Sequence, residues 1–95
     1  MIQSFADRDT ALIWSGRRSR KLPSDIQAVA LCKLRMLNQA RVLDDLRVPP
    51  GNRLEALRGD REGQHSIRIN DQWRICFVWD EGGAHDVEIA DYHKG

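Results

Sequence analysis

The run Pro49-Pro50-Gly51-Asn52 divides the chain, and the hydrophobic spacing differs on its two sides. Two prolines followed by Gly-Asn continue neither a helix nor a central strand. Before the break, Ile26, Ala30, Leu34 and Leu37 recur at helical spacing, and Val29, Lys33 and Met36 widen the stripe. After it the period becomes two, which predicts strands over residues 53–57, 64–70, 73–79 and 84–92, separated by Gly-, Asp- and Asn-containing turns. Helices first and strands after define an α+β class: two N-terminal helices packed on one face of a small, mainly antiparallel sheet of four to five strands.

Local signals place the ends of these elements. Ile2 and Phe5 give the opening stretch strand character. Asp7 or Asp9 is a candidate cap for a helix carrying Ala11, Leu12, Ile13 and Trp14, which Gly16 then stops. Pro23 blocks continuation from upstream, and Ser24 with Gln27 three positions on matches a capping box, so a second helix starts at 24 or 25. Residues 41–47 are a candidate last turn before the break.

A chain of 95 residues without internal repeats is expected to form one domain, residues 1–95, burying about 60% of its unfolded surface. Cys32 and Cys76 are expected to be two buried, reduced thiols, since neither has a second cysteine nearby to pair with. The start lacks a basic segment leading into an apolar run, and no stretch approaches a membrane span. A cytoplasmic protein without membrane association is the expectation.

The formal net charge of +1 hides a division: residues 1–79 carry 14 basic and 9 acidic residues, residues 80–95 carry 1 and 5. Twelve of the fifteen cations are Arg, whose planar fork binds phosphate oxygens in pairs. Arg17, Arg18, Arg20 and Lys21 put four cations within five residues, either a solvated loop or a phosphate-contacting patch.

Alternation sorts the sheet into two faces. His65, Ile67 and Ile69 share one with Trp73, Ile75, Phe77 and Trp79, and Val87 and Ile89 extend it. The other receives Ser66, Arg68, Arg74, Cys76, Val78, Glu88, Ala90 and Tyr92, a mixed and cationic set with little to bury. A three-residue turn at 70–72 sets Ile69 opposite Trp73 and keeps the faces matched, where a two-residue turn at Asp71-Gln72 would not. That register sets Arg68 opposite Arg74, a like-charge pair that needs an anion between them, either Glu88 or a bound phosphate.

Three separated motifs then recur in order: residues 49–61 from Pro49 to Arg61, the run Ser66-Ile67-Arg68-Ile69-Asn70-Asp71-Gln72-Trp73-Arg74-Ile75, and Asp91-Tyr92-His93. Together they resemble the HigB toxins of the wider RelE-like group, over residues 2–93. The resemblance implies a RelE-like fold and a metal-independent, cofactor-free endoribonuclease that cuts messenger RNA while the ribosome translates it. It also implies a HigA-type helix-turn-helix antitoxin that neutralises the toxin and, with it, represses their operon, so that operator DNA is contacted only through the antitoxin.

Cleaving RNA without a metal requires activation of the 2′-hydroxyl, stabilisation of a phosphorane and protonation of the 5′-oxygen. Arg74, on a central strand after an apolar Trp, matches the family's charge-stabilising Arg. A histidine two residues from a chain end is ordinarily a frayed surface group. Within the Asp-Tyr-His motif, His93 is instead the candidate acid or base, its reference pKa of about 6.5 suiting both directions. Tyr92 shares the Arg74 face and is a candidate to stack on a base or donate a hydrogen bond. Asp91 faces the other way, either orienting His93 or capping the strand. Glu55 stands where some relatives carry His, either a base with a raised pKa or a structural residue.

Arg58 matches a basic residue beside the family's active site, and Arg61 across the Gly59-Asp60 turn is either a phosphate ligand or scaffold. Arg68 joins them as a candidate RNA contact. His65 is expected to be a satisfied core histidine and His85 a loop residue, neither with metal-ligand spacing. The basic patch at 17–21 is a candidate for ribosomal RNA contact, or for an acidic antitoxin surface. The competing function is a non-catalytic module that blocks translation by binding alone.

Overall fold

The computed structural model describes residues 1–92 of the chain. Its first helix, α1 (Arg8–Trp14), follows an extended Asp7 whose side chain makes no capping bond. Gly16, at φ +86°, ends it: Arg17 N–H reaches back to Leu12 C=O at 2.9 Å and Gly16 N–H to Ile13 C=O at 3.0 Å. Such a left-handed residue costs glycine little because it has no Cβ.

The second helix, α2 (Ser24–Gln39), buries the stripe Ile26, Ala30, Leu34 and Leu37. Val29 lies outside it and is exposed, and so is Cys32, so only Cys76 is a buried thiol. Gln27 does not close a capping box with Ser24. Its amide instead donates to Leu22 C=O and Ser19 C=O at 2.9 and 2.8 Å, and its Oε1 accepts from Ser19 N–H at 3.1 Å. Pro23 is the N-cap, so Ser24 is already helical and too far in to cap. The helix stops at an extended Ala40 and is not prolonged through residue 47. The Asp45 carboxylate takes the N–H groups of Arg41 and Val42, at 2.9 and 3.3 Å, which starts a separate 3-10 turn, Leu43–Arg47. Fully buried Asn52 then fastens the proline segment to α2, accepting from Lys33 Nζ and donating to Leu46 C=O at 3.1 Å.

Among the described residues four antiparallel strands follow in spatial order: β1 (Glu55–Ala56), β2 (His65–Arg68), β3 (Trp73–Asp80) and β4 (Gly83–Asp91). The chain's first residues add parallel bridges along the outer edge of β4, Ile2 to Ala84 and Phe5 to Val87. The β2–β3 turn has the three-residue form: Asn70 Oδ1 accepts from Gln72 N–H and Trp73 N–H at 2.9 and 2.8 Å, and Ile69 N–H meets Trp73 C=O at 2.9 Å. Arg68 consequently stands opposite Arg74.

His85 lies in β4, not in a loop, with Nε2 2.9 Å from Asp80 Oδ1 across the hairpin. Beyond it the pairing slips between Cys76/Glu88 and Val78/His85, with Asp86 at φ +52°. This one-residue bulge returns Val87 to the core face, where it is fully buried.

Ile13 of α1, the α2 stripe, Leu46, Ile67, Ile75, Phe77, Val87 and Ile89 form one buried cluster. Thr10 Oγ1 ties α1 to the sheet by accepting from Ile89 N–H at 2.9 Å. His65 does not behave as a satisfied polar residue: it stacks on Phe77 with ring centres 6.3 Å apart, and its buried Nδ1 has no hydrogen-bond partner among the described residues. Among the described residues no helix is long and apolar enough to cross a membrane.

Candidate functional site

The sheet face carrying Arg74 is less open than its cationic composition suggests. Leu57, Cys76 and Ala90 form a second small buried cluster, with Tyr92 packed against it. Residues 57–64 lie near this face because Arg61, in the 3-10 turn Gly59–Arg61, sends Nη1 to Glu88 Oε1 of β4 and to Gln64 Oε1, both at 3.0 Å. Glu88 is therefore Arg61's counterion and not the anion between Arg68 and Arg74. Burial is the largest single influence on the Arg61 charge and works against it, but the Glu88 hydrogen bond and charge together with the nearby Cys76 and Tyr92 outweigh it, and the guanidinium holds its proton more tightly than usual.

Arg74 is the most constrained cation of the face, its side chain only 12% exposed. Its Nε donates to Ser66 Oγ and its Nη2 to Arg53 C=O, each at 2.7 Å. Arg53 presents that carbonyl from a left-handed backbone at φ 46°, ψ 54°, unusual for a residue with a Cβ. Glu55 Oε1 stands 3.6 Å from Nη2, a loose ion pair with the carboxylate half exposed. Nη1 makes no hydrogen bond among the described residues.

The like-charge pair is relieved locally. Arg68 turns to Asp71 three residues on, while Arg74 turns toward β1. Tyr92 sits on the Arg74 face, as its alternation with Ala90 requires. Burial pushes its phenol pKa up, helped by the Cys76 thiol to which it hydrogen-bonds, while Arg61 and Arg74 pull it down. Burial likewise pushes up the Cys76 thiol, which leaves it protonated and unreactive at neutral pH. Asp91 stands opposite Trp73 in the register and accepts from Gln72 Nε2 at 3.1 Å. His93 lies outside the described residues.

Arg58 is exposed, and its guanidinium makes no hydrogen bond or ion pair among the described residues, which leaves it available to a ligand. Arg17, Arg18, Arg20 and Lys21 are also exposed, on a loop that is firmly built. Its middle residue, Ser19, is buried. Ser19 Oγ donates to Asp9 Oδ1 at 2.7 Å and accepts from Lys21 N–H and Leu22 N–H at 3.1 and 3.3 Å, with Gln27 bracing it from α2. The four cations are thus splayed around a fixed serine. They edge two open grooves, of about 280 Å³ beside Ile13, Ala28 and Leu31 and about 490 Å³ beside Arg8 and Leu12. Among the described residues no three His, Cys, Asp or Glu side chains converge as a metal site requires.

Alternation alone assigned no role to Ser66 or Arg53. The signal for Ser66 was present: with Arg68 opposite Arg74, Ser66 is Arg74's diagonal neighbour, within reach of a long side chain. The carbonyl of Arg53 left no such trace, because no residue type announces a left-handed turn when it is not Gly or Asn.

Comparison with known proteins places these features in a family. Residues 3–93 match the model of a family described as the RelE-like toxin of type II toxin-antitoxin system HigB. The chain is 44% identical over 78 residues to Toxin HigB-1 of Vibrio cholerae, covering 82% of this chain and 81% of that protein. It is 30% identical to Endoribonuclease HigB of Proteus vulgaris over 98% of this chain and 100% of that one. An uncharacterised protein of Haemophilus influenzae shares 32% over 78% of this chain and 73% of its own length. The chain belongs to the HigB family of RelE-like toxins of type II toxin-antitoxin systems.

Proposed function

We propose that this toxin is an endoribonuclease that cleaves messenger RNA on the translating ribosome, is neutralised by a HigA-type helix-turn-helix antitoxin, and meets operator DNA only through it. The observation that carries the reading is the Arg74 guanidinium. It is fixed by two hydrogen bonds along one edge and keeps Nη1 unbonded beside an exposed carboxylate. A fixed cation that strengthens its contact as charge builds on phosphorus favours the transition state over the ground state.

In the reaction the ribose 2′-oxygen attacks the adjacent phosphorus and its proton passes to a base. The P–O5′ bond then breaks from the phosphorane, and an acid protonates the 5′-oxygen, leaving a 2′,3′-cyclic phosphate and a 5′-hydroxyl. Arg74 neutralises the phosphorane oxygens. His93 is the acid or base, Glu55 stands close enough to Arg74 to take the complementary role, and Asp91 orients His93. Tyr92 offers a ring for stacking and a phenol that stays protonated as a donor, which its raised pKa supports. Arg58 and Arg68 hold flanking phosphates, while Arg61 serves mainly to seat the 57–64 segment. Both helices lie on the sheet face away from Arg74, and Arg17, Arg18, Arg20 and Lys21 bind ribosomal RNA phosphates.

Expression of the wild type is expected to arrest growth, and Arg74→Ala and His93→Ala each to abolish the arrest at equal protein level. Loss of one transition-state donor of this kind costs about 100- to 1,000-fold in rate. If both variants stay toxic while folded, these active-site roles are wrong. Mapping 5′ ends of messenger RNA after induction separates cleavage from a non-catalytic block: new ends within coding regions support the nuclease, intact transcripts with halted translation refute it.

A further inference from the structure

We infer that Ser66 is a positioning residue for Arg74: its buried hydroxyl, with the left-handed carbonyl of Arg53, holds the guanidinium so that the end bearing Nη1 faces the scissile phosphate. The inference rests on the reading of Arg74 as the group that neutralises the phosphorane.

Three observations support it. Ser66 is fully buried at the centre of a strand, a place where Ala or Val packs at no polar cost, so its hydroxyl needs an explanation. Its hydrogen bond from Arg74 Nε at 2.7 Å provides one. Arg53 keeps a sparsely populated backbone conformation, and the carbonyl so turned accepts from Arg74 Nη2 at 2.7 Å. Finally, Nε and Nη2 lie along the same side of the guanidinium plane, so these two acceptors occupy the side-on edge together. What remains for a phosphate is the end-on edge formed by Nη1 and the second hydrogen of Nη2.

An Arg side chain has several freely rotating bonds, and an untethered one must be ordered during each turnover. Fastened at two points, it is ordered before substrate arrives, and the gain falls on the chemical step and not on binding. A residue important only for packing would act on stability instead.

The test uses purified toxin, Ser66→Ala and Ser66→Cys, alone and combined with Arg74→Ala, cleaving a defined messenger RNA on programmed ribosomes and free in solution. Both Ser66 substitutions nearly conserve volume, and neither supplies a good acceptor. The maximum cleavage rate is expected to fall about 10-fold, the loss of one hydrogen bond to a charged group, with half-saturation unchanged within about twofold. In the Arg74→Ala background the Ser66 substitution is expected to add nothing, because the residue it positions is gone. Thermal melts confirm that the variants are folded. A full rate in Ser66→Ala and Ser66→Cys, or a further loss in the Arg74→Ala background, overturns the positioning role while leaving the Arg74 reading intact. A wild-type rate in Arg74→Ala overturns both.

Discussion

Single residues in this fold are chosen by contacts that lie far away in sequence. Gly83 begins β4 at φ +121°, and a Cβ built there would stand 2.0 Å from the carbonyl oxygen of Met1. The first residues of the chain run against that position, with Ala84 N–H bonded to Met1 C=O at 2.9 Å and Gln3 N–H to Ala84 C=O at 2.7 Å. Gly83→Ala therefore brings both a strained backbone and a displaced edge, and is expected to cost about 2 kcal/mol or more. For a chain of this size that lowers the melting temperature by roughly 10 °C, readable by thermal circular dichroism. Nothing local to Gly83 reveals this, since glycine in a hairpin is ordinary. The alternation of Ser66, Arg68, Arg74 and Tyr92, in contrast, was legible, because pleating ties side-chain direction to residue parity. Parity says which face a residue takes but not whom it meets there, so Glu88 was a reasonable partner for the arginine pair until Arg61 proved to occupy it.

The elements follow their sequence signals where those signals are backbone rules and depart where a side chain has a stronger partner elsewhere. Gly16 ends α1 and the proline run separates helix from sheet, both through steric limits that no neighbour relaxes. Gln27 leaves the capping box for Ser19, and Asp45 ends the extension of α2 by capturing two N–H groups beyond Ala40. That capture carries a pH signature. The two backbone hydrogen bonds hold the Asp45 carboxyl below the usual carboxylate range. A carboxyl whose folded pKa is depressed contributes stability above its unfolded value near 3.9, and loses it as pH falls through the folded value. Asp45→Ala is therefore expected to be less stable than the wild type at pH 7, with the gap narrowing steadily below about pH 4. Urea midpoints measured across pH 7 to 3 check this, and a gap that stays constant refutes the assignment. The shift in strand register after Cys76 belongs to the same scale, since a bulge residue such as Asp86 obeys the sheet's curvature more than its own propensity.

Across the whole molecule, charge is organised in two cationic regions with different degrees of freedom. Arg61, Arg68 and Arg74 are each bonded to a protein acceptor, while Arg17, Arg18, Arg20 and Lys21 are exposed around the fixed Ser19. Phosphate contact by the exposed set acts through counterion release, so it governs affinity and its salt dependence and not the chemical step. Replacing all four by Ser is expected to weaken ribosome binding and flatten its log–log salt dependence by about 0.7 for each cation that contacts phosphate. Binding assays between 50 and 200 mM salt, as a range suited to this effect, test it. An unchanged slope assigns the loop to another partner.

By itself the sequence determined the class of the fold, the order of its elements, the division of the sheet into two faces and the three-residue turn that pairs Arg68 with Arg74. Each of these depends on residue spacing or backbone sterics, which are local. Tertiary structure alone decided that Ser66 and the Arg53 carbonyl grip Arg74, that Glu88 answers Arg61, that Ser19 anchors the basic loop, and that Gly83 must remain bare. Those outcomes depend on which polar groups of distant segments arrive within hydrogen-bond reach once the core has closed, and no periodicity encodes that distance.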